Sequence, residues 1–491
     1  MKIIKKIYIP ILFFLIGILI VFYPVIFINN ELMPGDLGDG RFINYVLEHF
    51  YLFLSGSKLH NSFWNLPFFY PYTNTLSYSD IMFGGMILYA PIRFFVDSPQ
   101  TALQIWLFFA CLFNFLSAYL LFKKALNFNN FLSSFAAFFI AFSIARYNQI
   151  YHLQLYTQFY MLFSFAAFFA LRKTNSKLKN NLLFLSGTLM FVMQLYTSFY
   201  FGWYMVYALV LFSFLMMFFK ESRNMLKNFI LFYKKEILIY SFISLILLLP
   251  LLYHYLSLHV KQYYYAWLLI KPWHIFKTKN LIYSIFFDIF NVSSDRVIEL
   301  ENTVGVGIFA LCFSLWGLFK NKYGKYFLLF ILVSLILFGF EIVNCLLYLF
   351  FPGASAIRAA GRVVYLFLPL YAFGIVFLVT KLKNKLLIAT IIILSIIEQI
   401  PVLNGYNFEW NKSQHNKRLE MYSKVPEKCN VVHFDTNDKS LKSEEFVYLL
   451  DMIWYASNNN KYTTNGYSGY FPDNNAVIMT LPDECFLKIE N

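Results

Sequence analysis

The chain has 491 residues, of which 59% are hydrophobic and 13% charged, and its mean hydropathy is +0.57. That charge content is about half of what a soluble domain carries, which excludes an ordinary water-soluble globular protein. The net charge of +14 is not a nucleic-acid footprint either: residues 403–491 hold 9 basic and 12 acidic residues, and the cationic excess sits in short connections between the apolar runs of 1–402, as a membrane topology signal does.

The N-terminal "MKIIKKIYIPILFFLIGILIVFYPVIFI" has a basic tip and a long apolar run with no small-residue cleavage site, and reads as an uncleaved signal anchor. Apolar segments then recur near 101–122, 131–145, 155–171, 181–197, 201–219, 237–255, 303–319, 326–350, 362–380 and 386–402, which makes about 11 transmembrane helices with the first. A cytoplasmic N-terminus puts every basic cluster, from "MKIIKK" to "KLKNK", on the inside. The extracytoplasmic face then receives the first loop 29–100, the turn 146–154, a second large loop 256–302, the segment 351–361 and the C-terminal tail 403–491. "IMFGGMILYAPIRFFV" (81–96) is short and contains Pro91 and Arg93. Counted as a span it would invert every later cluster, so it is expected as an interfacial or re-entrant helix. The expected fold class is therefore an all-α polytopic membrane protein of residues 1–402 with a small extracytoplasmic α/β domain at 403–491. Cys429 and Cys485 both fall in that tail, where oxidation to a disulfide is possible.

Chemistry concentrates in the first loop, "ELMPGDLGDGRFINYVLEHF". Glycines bend the backbone around Asp36 and Asp39, and a helix is expected from Arg41, with Arg41, Glu48 and His49 at spacings that bring them near one another. One acid can be a helix cap; the second then needs another role. The loop continues through an aromatic-rich stretch to Asp80, which suits either an interfacial belt or a platform for sugar rings. A second polar cluster, "ARYNQIYHLQLYTQ", offers Arg146, His152, Gln154 and Gln158. A third, "FPGASAIRAAGR", places Arg358 and Arg362 four apart, where they suit a phosphate or snorkel to headgroups. No zinc pattern, P-loop or nucleophile elbow is present.

A first span followed by an outer loop with "GDLGDGRFINY" resembles the GT-C superfamily of integral membrane glycosyltransferases. Together with "PFFYPYTNTLSYSD", "PGASAIRAAGR" and "NGYSGYFP", it is most similar to YfhO-type bacterial membrane proteins. The resemblance implies transfer of a sugar from a polyprenyl-phosphate donor to a membrane lipid, cell-envelope glycan or protein acceptor at the outer face of the bacterial cytoplasmic (inner) membrane. It implies a first-loop Asp as general base or metal ligand, carried here by Asp39 with Asp36 second, and Mg2+ or Mn2+ if a metal takes part. Arg358 and Arg362 would then bind the donor phosphate, while Arg41, Glu48, His49, Asp80, His152 and Gln154 would line the substrate site. The acids stand three apart here rather than adjacent, which leaves base and metal roles open. The rival readings are a lipid or glycan transporter and a non-catalytic assembly protein. Ionisable residues deep inside several spans would favour the transporter, but few are found.

Overall fold

The computed structural model describes residues 2–171, 176–256, 268–286, 303–402, 410–422, 424–434, 445–472 and 480–487. Most of the expected second outer loop 256–302, and parts of the tail, lie outside the described residues. The rest is an all-α polytopic membrane architecture with two small two-stranded sheets.

Among the described residues, seven helical stretches are long and apolar enough to cross a membrane: Ile7–Ile28, Pro99–Ala125, Asn130–Tyr147, Leu153–Ala170, Phe199–Met217, Lys234–Leu256 and Ala360–Lys381. The remaining four of the eleven expected spans depart from straight apolar helices, each for a local reason. Lys177–Thr197 is 21 residues long but carries Asn180, Thr188 and Gln194 along its length. Ile308–Lys320 and Lys385–Ile397 have 13 residues each, a rise of about 20 Å against a hydrocarbon core of about 30 Å. Segment 326–350 is two helices, Gly324–Gly339 and Glu341–Phe350, bent by 97°. At the bend Phe340 is extended, Ile270 N–H donates to the Phe338 carbonyl at 3.1 Å, and the Asn344 amide returns to the Leu337 carbonyl at 3.0 Å. The helix Phe83–Arg93 has 11 residues, too short to span, in line with the expectation for 81–96.

Broken helices leave backbone groups that hydrocarbon cannot solvate, and buried polar side chains take them up. Arg146, fully buried, donates to the carbonyls of Ile140 at 3.3 Å and Leu155 at 2.8 Å and to the Gln158 side chain, with its guanidinium 5.0 Å from the Tyr365 ring. Asn114 donates to the Tyr156 carbonyl at 2.6 Å, and Gln194 accepts from Met161 N–H at 2.9 Å. Helix Ile308–Lys320 packs along Val364–Lys381 at Gly317 and Gly374, where each glycine faces the other helix's backbone with no room for a side chain.

At one end of this bundle the first loop, the 146–154 turn, the 351–361 segment and the tail come together. Leu32–Met33 pairs antiparallel with Trp410–Asn411 of the tail. Tail helix Glu445–Asn458 lies on the first-loop helix Asp39–Leu54, with Trp454 edge-on to Tyr45. Thr463 and Asn465 exchange backbone hydrogen bonds with Pro67, Phe69 and Tyr70. Cys429 and Cys485 form a disulfide.

Candidate active site

The site starts with a tight turn. Gly35 has φ of +100°, and a side chain there would sit 2.9 Å from the Gly40 Cα, so both the conformation and the close approach require glycine. The turn lets the Asp36 carboxylate accept the Gly40 N–H at 2.9 Å, one of the orphan donors of the new helix. Asp36 thus does the capping, and Asp39 stands in the first turn of Asp39–Leu54, where the helix dipole favours a negative charge.

Both oxygens of Asp39 accept a hydrogen bond. Tyr467, from the tail, donates its hydroxyl to Oδ1 at 2.6 Å, and His152 Nδ1 meets Oδ2 at 2.8 Å. An ionised carboxylate only accepts, so Nδ1 carries the proton. The Asp39 side chain keeps 29% of its surface open. Burial pushes its carboxyl up, but the His152 bond and charge, the Tyr467 hydroxyl and the Arg362 charge together hold it below the ordinary value. Burial and the neighbouring Asp39 carboxylate push the Tyr467 hydroxyl up, so it stays protonated.

Asp80 and the two arginines complete the surround. The Asp80 carboxylate accepts Phe199 N–H at 2.8 Å, at the start of helix Phe199–Met217. Burial raises Asp80, against the pull of that N–H and of Arg362 and Arg358, and with the like charge of Asp39 adding to the rise. Arg362 is mostly buried with its guanidinium 4.6 Å over the Tyr200 ring, and the Tyr200 hydroxyl accepts Arg358 N–H at 3.0 Å and Ala359 N–H at 3.1 Å. Arg358 is exposed. A side chain added to Gly469 would lie 3.4 Å from Arg358 Nη2, so the tail segment 467–469 runs from Asp39 to Arg358. The structure therefore gathers Asp36, Asp39, Asp80, His152, Arg358 and Arg362 in one neighbourhood.

Three residues expected to line the substrate site are engaged elsewhere. Arg41 is fully buried against the tail, 2.5 Å from Asp451, which also binds Arg418 at 2.8 Å and the Tyr422 hydroxyl at 3.1 Å. Glu48 pairs with Arg93 at 3.0 Å and accepts the Tyr89 hydroxyl at 2.8 Å. His49 meets His60 at 2.8 Å and the Phe63 carbonyl at 3.0 Å, and His60 meets Ser457 at 3.0 Å. The helix from Asp39 is buried over most of its first three turns, so its polar residues become ties to its neighbours. Gln154 is buried in the turn Leu153–Tyr156, and its side-chain oxygen has no partner among the described residues. Arg146 and Gln158 clamp the broken helix.

Among the described residues no three His, Cys, Asp or Glu side chains come together to hold a metal ion. Asp36 and Asp39 are the acids expected as ligands. Asp36 caps the helix through Oδ1 and Asp39 accepts one bond on each oxygen, so these two carboxylates are the protein ligands a divalent ion would find here, with its other positions left to substrate phosphate and water.

Sequence reasoning missed Tyr467, Asp451 and Tyr200. The one signal was the glycine-flanked "NGYSGY": Gly466 leaves room for the Phe69 ring, and Gly469 for Arg358 and the Tyr78 carbonyl.

No family model matches the chain, and no curated protein matches it. Among solved structures, the chain is similar to the Archaeoglobus fulgidus oligosaccharyltransferase in its apo form, with 12% identity and a TM-score of 0.48. The similarity covers 94% of this chain and 64% of that one, so the chain spans less than two thirds of that protein's length.

Proposed function

We propose that the protein is a membrane glycosyltransferase. It transfers a sugar from a polyprenyl-phosphate donor to a lipid, glycan or protein acceptor on the extracytoplasmic face of a bacterial cytoplasmic membrane. Residues 1–402 form the membrane domain, and 403–491 an appended domain on that face. The observation that carries the reading is the Asp39 carboxylate, kept ionised at a loop mouth by His152, Tyr467 and the charge of Arg362.

In this reading Asp39 takes the proton of the acceptor hydroxyl as its oxygen bonds to the anomeric carbon. The bond from that carbon to the phosphate oxygen breaks, and its electron pair leaves on the phosphate. Arg358, exposed, meets the departing phosphate; Arg362, fixed on Tyr200, adds charge behind it. Asp80, which feels the charges of both arginines and of Asp39, orients the sugar hydroxyls.

The test is donor turnover. The full chain in nanodiscs is given a panel of polyprenyl-phosphate sugars and candidate acceptors, and mass spectrometry follows release of polyprenyl phosphate. Wild type is expected to release it, and Asp39→Asn to lose at least about a hundredfold. Equal release by both would remove Asp39 as the base. No release from any donor would move the weight to transport or assembly.

A further inference from the structure

The tail reaches the reacting carboxylate. We propose that the tail completes the site through one side chain: Tyr467 is a positioning residue whose hydroxyl, opposite His152, holds the Asp39 carboxylate in one orientation. The proposal rests on the glycosyltransferase reading for its rate effect, and on geometry alone for the positioning itself.

Two donors from opposite directions grip one carboxylate. Tyr467 sits on Oδ1 at 2.6 Å and His152 on Oδ2 at 2.8 Å, from chain positions 428 and 113 residues away. A carboxylate oxygen has two acceptor sites, so each keeps one for a substrate hydroxyl while the plane of the group is fixed. Tyr467 is itself held. Two residues before it, the Asn465 carbonyl accepts Phe69 N–H at 3.1 Å. Gly466 stands against the Phe69 ring, where an added Cβ would come within 2.4 Å of it, and the Tyr467 ring packs 5.3 Å from Phe42. The buried Arg41–Asp451–Arg418 group and the strand pair at Leu32 and Asn411 keep the tail on the first loop. The charged groups facing Asp39 and Tyr467 are His152, Arg362, Asp80, Asp36 and Arg358; none but His152 and Tyr467 has a hydrogen bond to Asp39 among the described contacts.

The experiment compares wild type with Tyr467→Phe, which keeps the ring and removes the hydroxyl, and with Tyr470→Phe as a control in the same loop. The first readout needs no substrate: carbodiimide and amine labelling of Asp39 in nanodiscs at pH 7, quantified by peptide mass spectrometry. A carboxylate relieved of one donor should label about threefold faster or more in Tyr467→Phe, with Tyr470→Phe at the wild-type rate and all three melting alike. The second readout is turnover: kcat is expected to fall about tenfold in Tyr467→Phe with KM within about twofold, since misplacement of a reacting group acts on the chemical step. Unchanged labelling overturns the proposal whether or not a donor is found. Faster labelling with unchanged kcat, or with a rise in KM alone, overturns it too. Faster labelling in a protein that turns over no donor sustains the positioning and sinks the glycosyltransferase reading.

Discussion

At Asp39 a short polar side chain at a helix start is released from capping, because Asp36 takes the capping bond. The two acids are close in sequence and differ only in which side of the turn they leave. Since the Asp39 carboxyl is held below its ordinary value, it is already deprotonated at neutral pH, as the proposed base must be. Its charge contributes stability that is present above the ordinary carboxylate value and is lost as pH falls through the lower folded value. Turnover is therefore expected to stay level on the acid side from pH 7 to about pH 5, and a midpoint near pH 6 that vanishes in Asp39→Glu would contradict this assignment. The sequence marked Asp39, His152 and Arg362 as polar groups in three separate stretches, and the structure brought them together. It also marked Arg41 and His49, which look the same in a string of letters. Burial sets Asp39 apart from Arg41 and His49: those two are fully covered, whereas Asp39 keeps an open edge.

The first-loop helix Asp39–Leu54 is the element on which the site is built, and its buried polar ties predict how it fails. Asp451 is fully buried between Arg41 and Arg418. Asp451→Asn leaves the Arg41 charge buried without its counter-ion, and a loss of about 3–5 kcal/mol is expected. Replacing both partners, Arg41→Met with Asp451→Leu, should cost less than the single change when melting is measured in nanodiscs, and an equal or larger cost would deny that the pair is the tie. Burial lowers His49 to about 4, His60 to about 3 and His415 to about 3. Groups kept neutral when folded take up protons when unfolded, so the stability they allow is present above pH 6.5 and is lost as pH falls towards 4. All three lie where the first loop meets the tail. Melting should drop steeply between pH 6.5 and 4.5, and His60→Gln should reduce that drop; a flat profile would show that these histidines do not report on the contact.

On the scale of the whole molecule, two constraints hold widely separated parts of the chain in place. The Cys429–Cys485 bond closes a loop of 56 residues, which constrains the unfolded tail by about 4 kcal/mol in the chain-entropy account. Cys429→Ser with Cys485→Ser is expected to loosen the tail, read as faster proteolysis within 403–491 while the membrane helices stay protected. Gly317 and Gly374 set the approach of helices Ile308–Lys320 and Val364–Lys381. Gly374→Leu should abolish the folded monodisperse protein in size-exclusion chromatography, whereas Gly56→Ala, at a glycine with open space around it, should leave it intact.

What the sequence determined by itself is the class of solvent and the local structure that solvent permits. Apolar runs of span length demand helices, because hydrocarbon offers the backbone no partner, so an all-α polytopic chain and the short non-spanning helix at 83–93 were readable in order. The cysteine pair was legible as well, as two thiols in one tail segment. What tertiary structure alone decided depends on contacts between parts of the chain far apart in sequence. The break at Phe340 goes with a backbone bond from Ile270 to Phe338. The donor on Asp39 follows from a tyrosine 428 positions away. A side chain's chemistry is written in its letter, but its solvent exposure and its partners are properties of packing, and those decided which acids could act and which only hold the fold together.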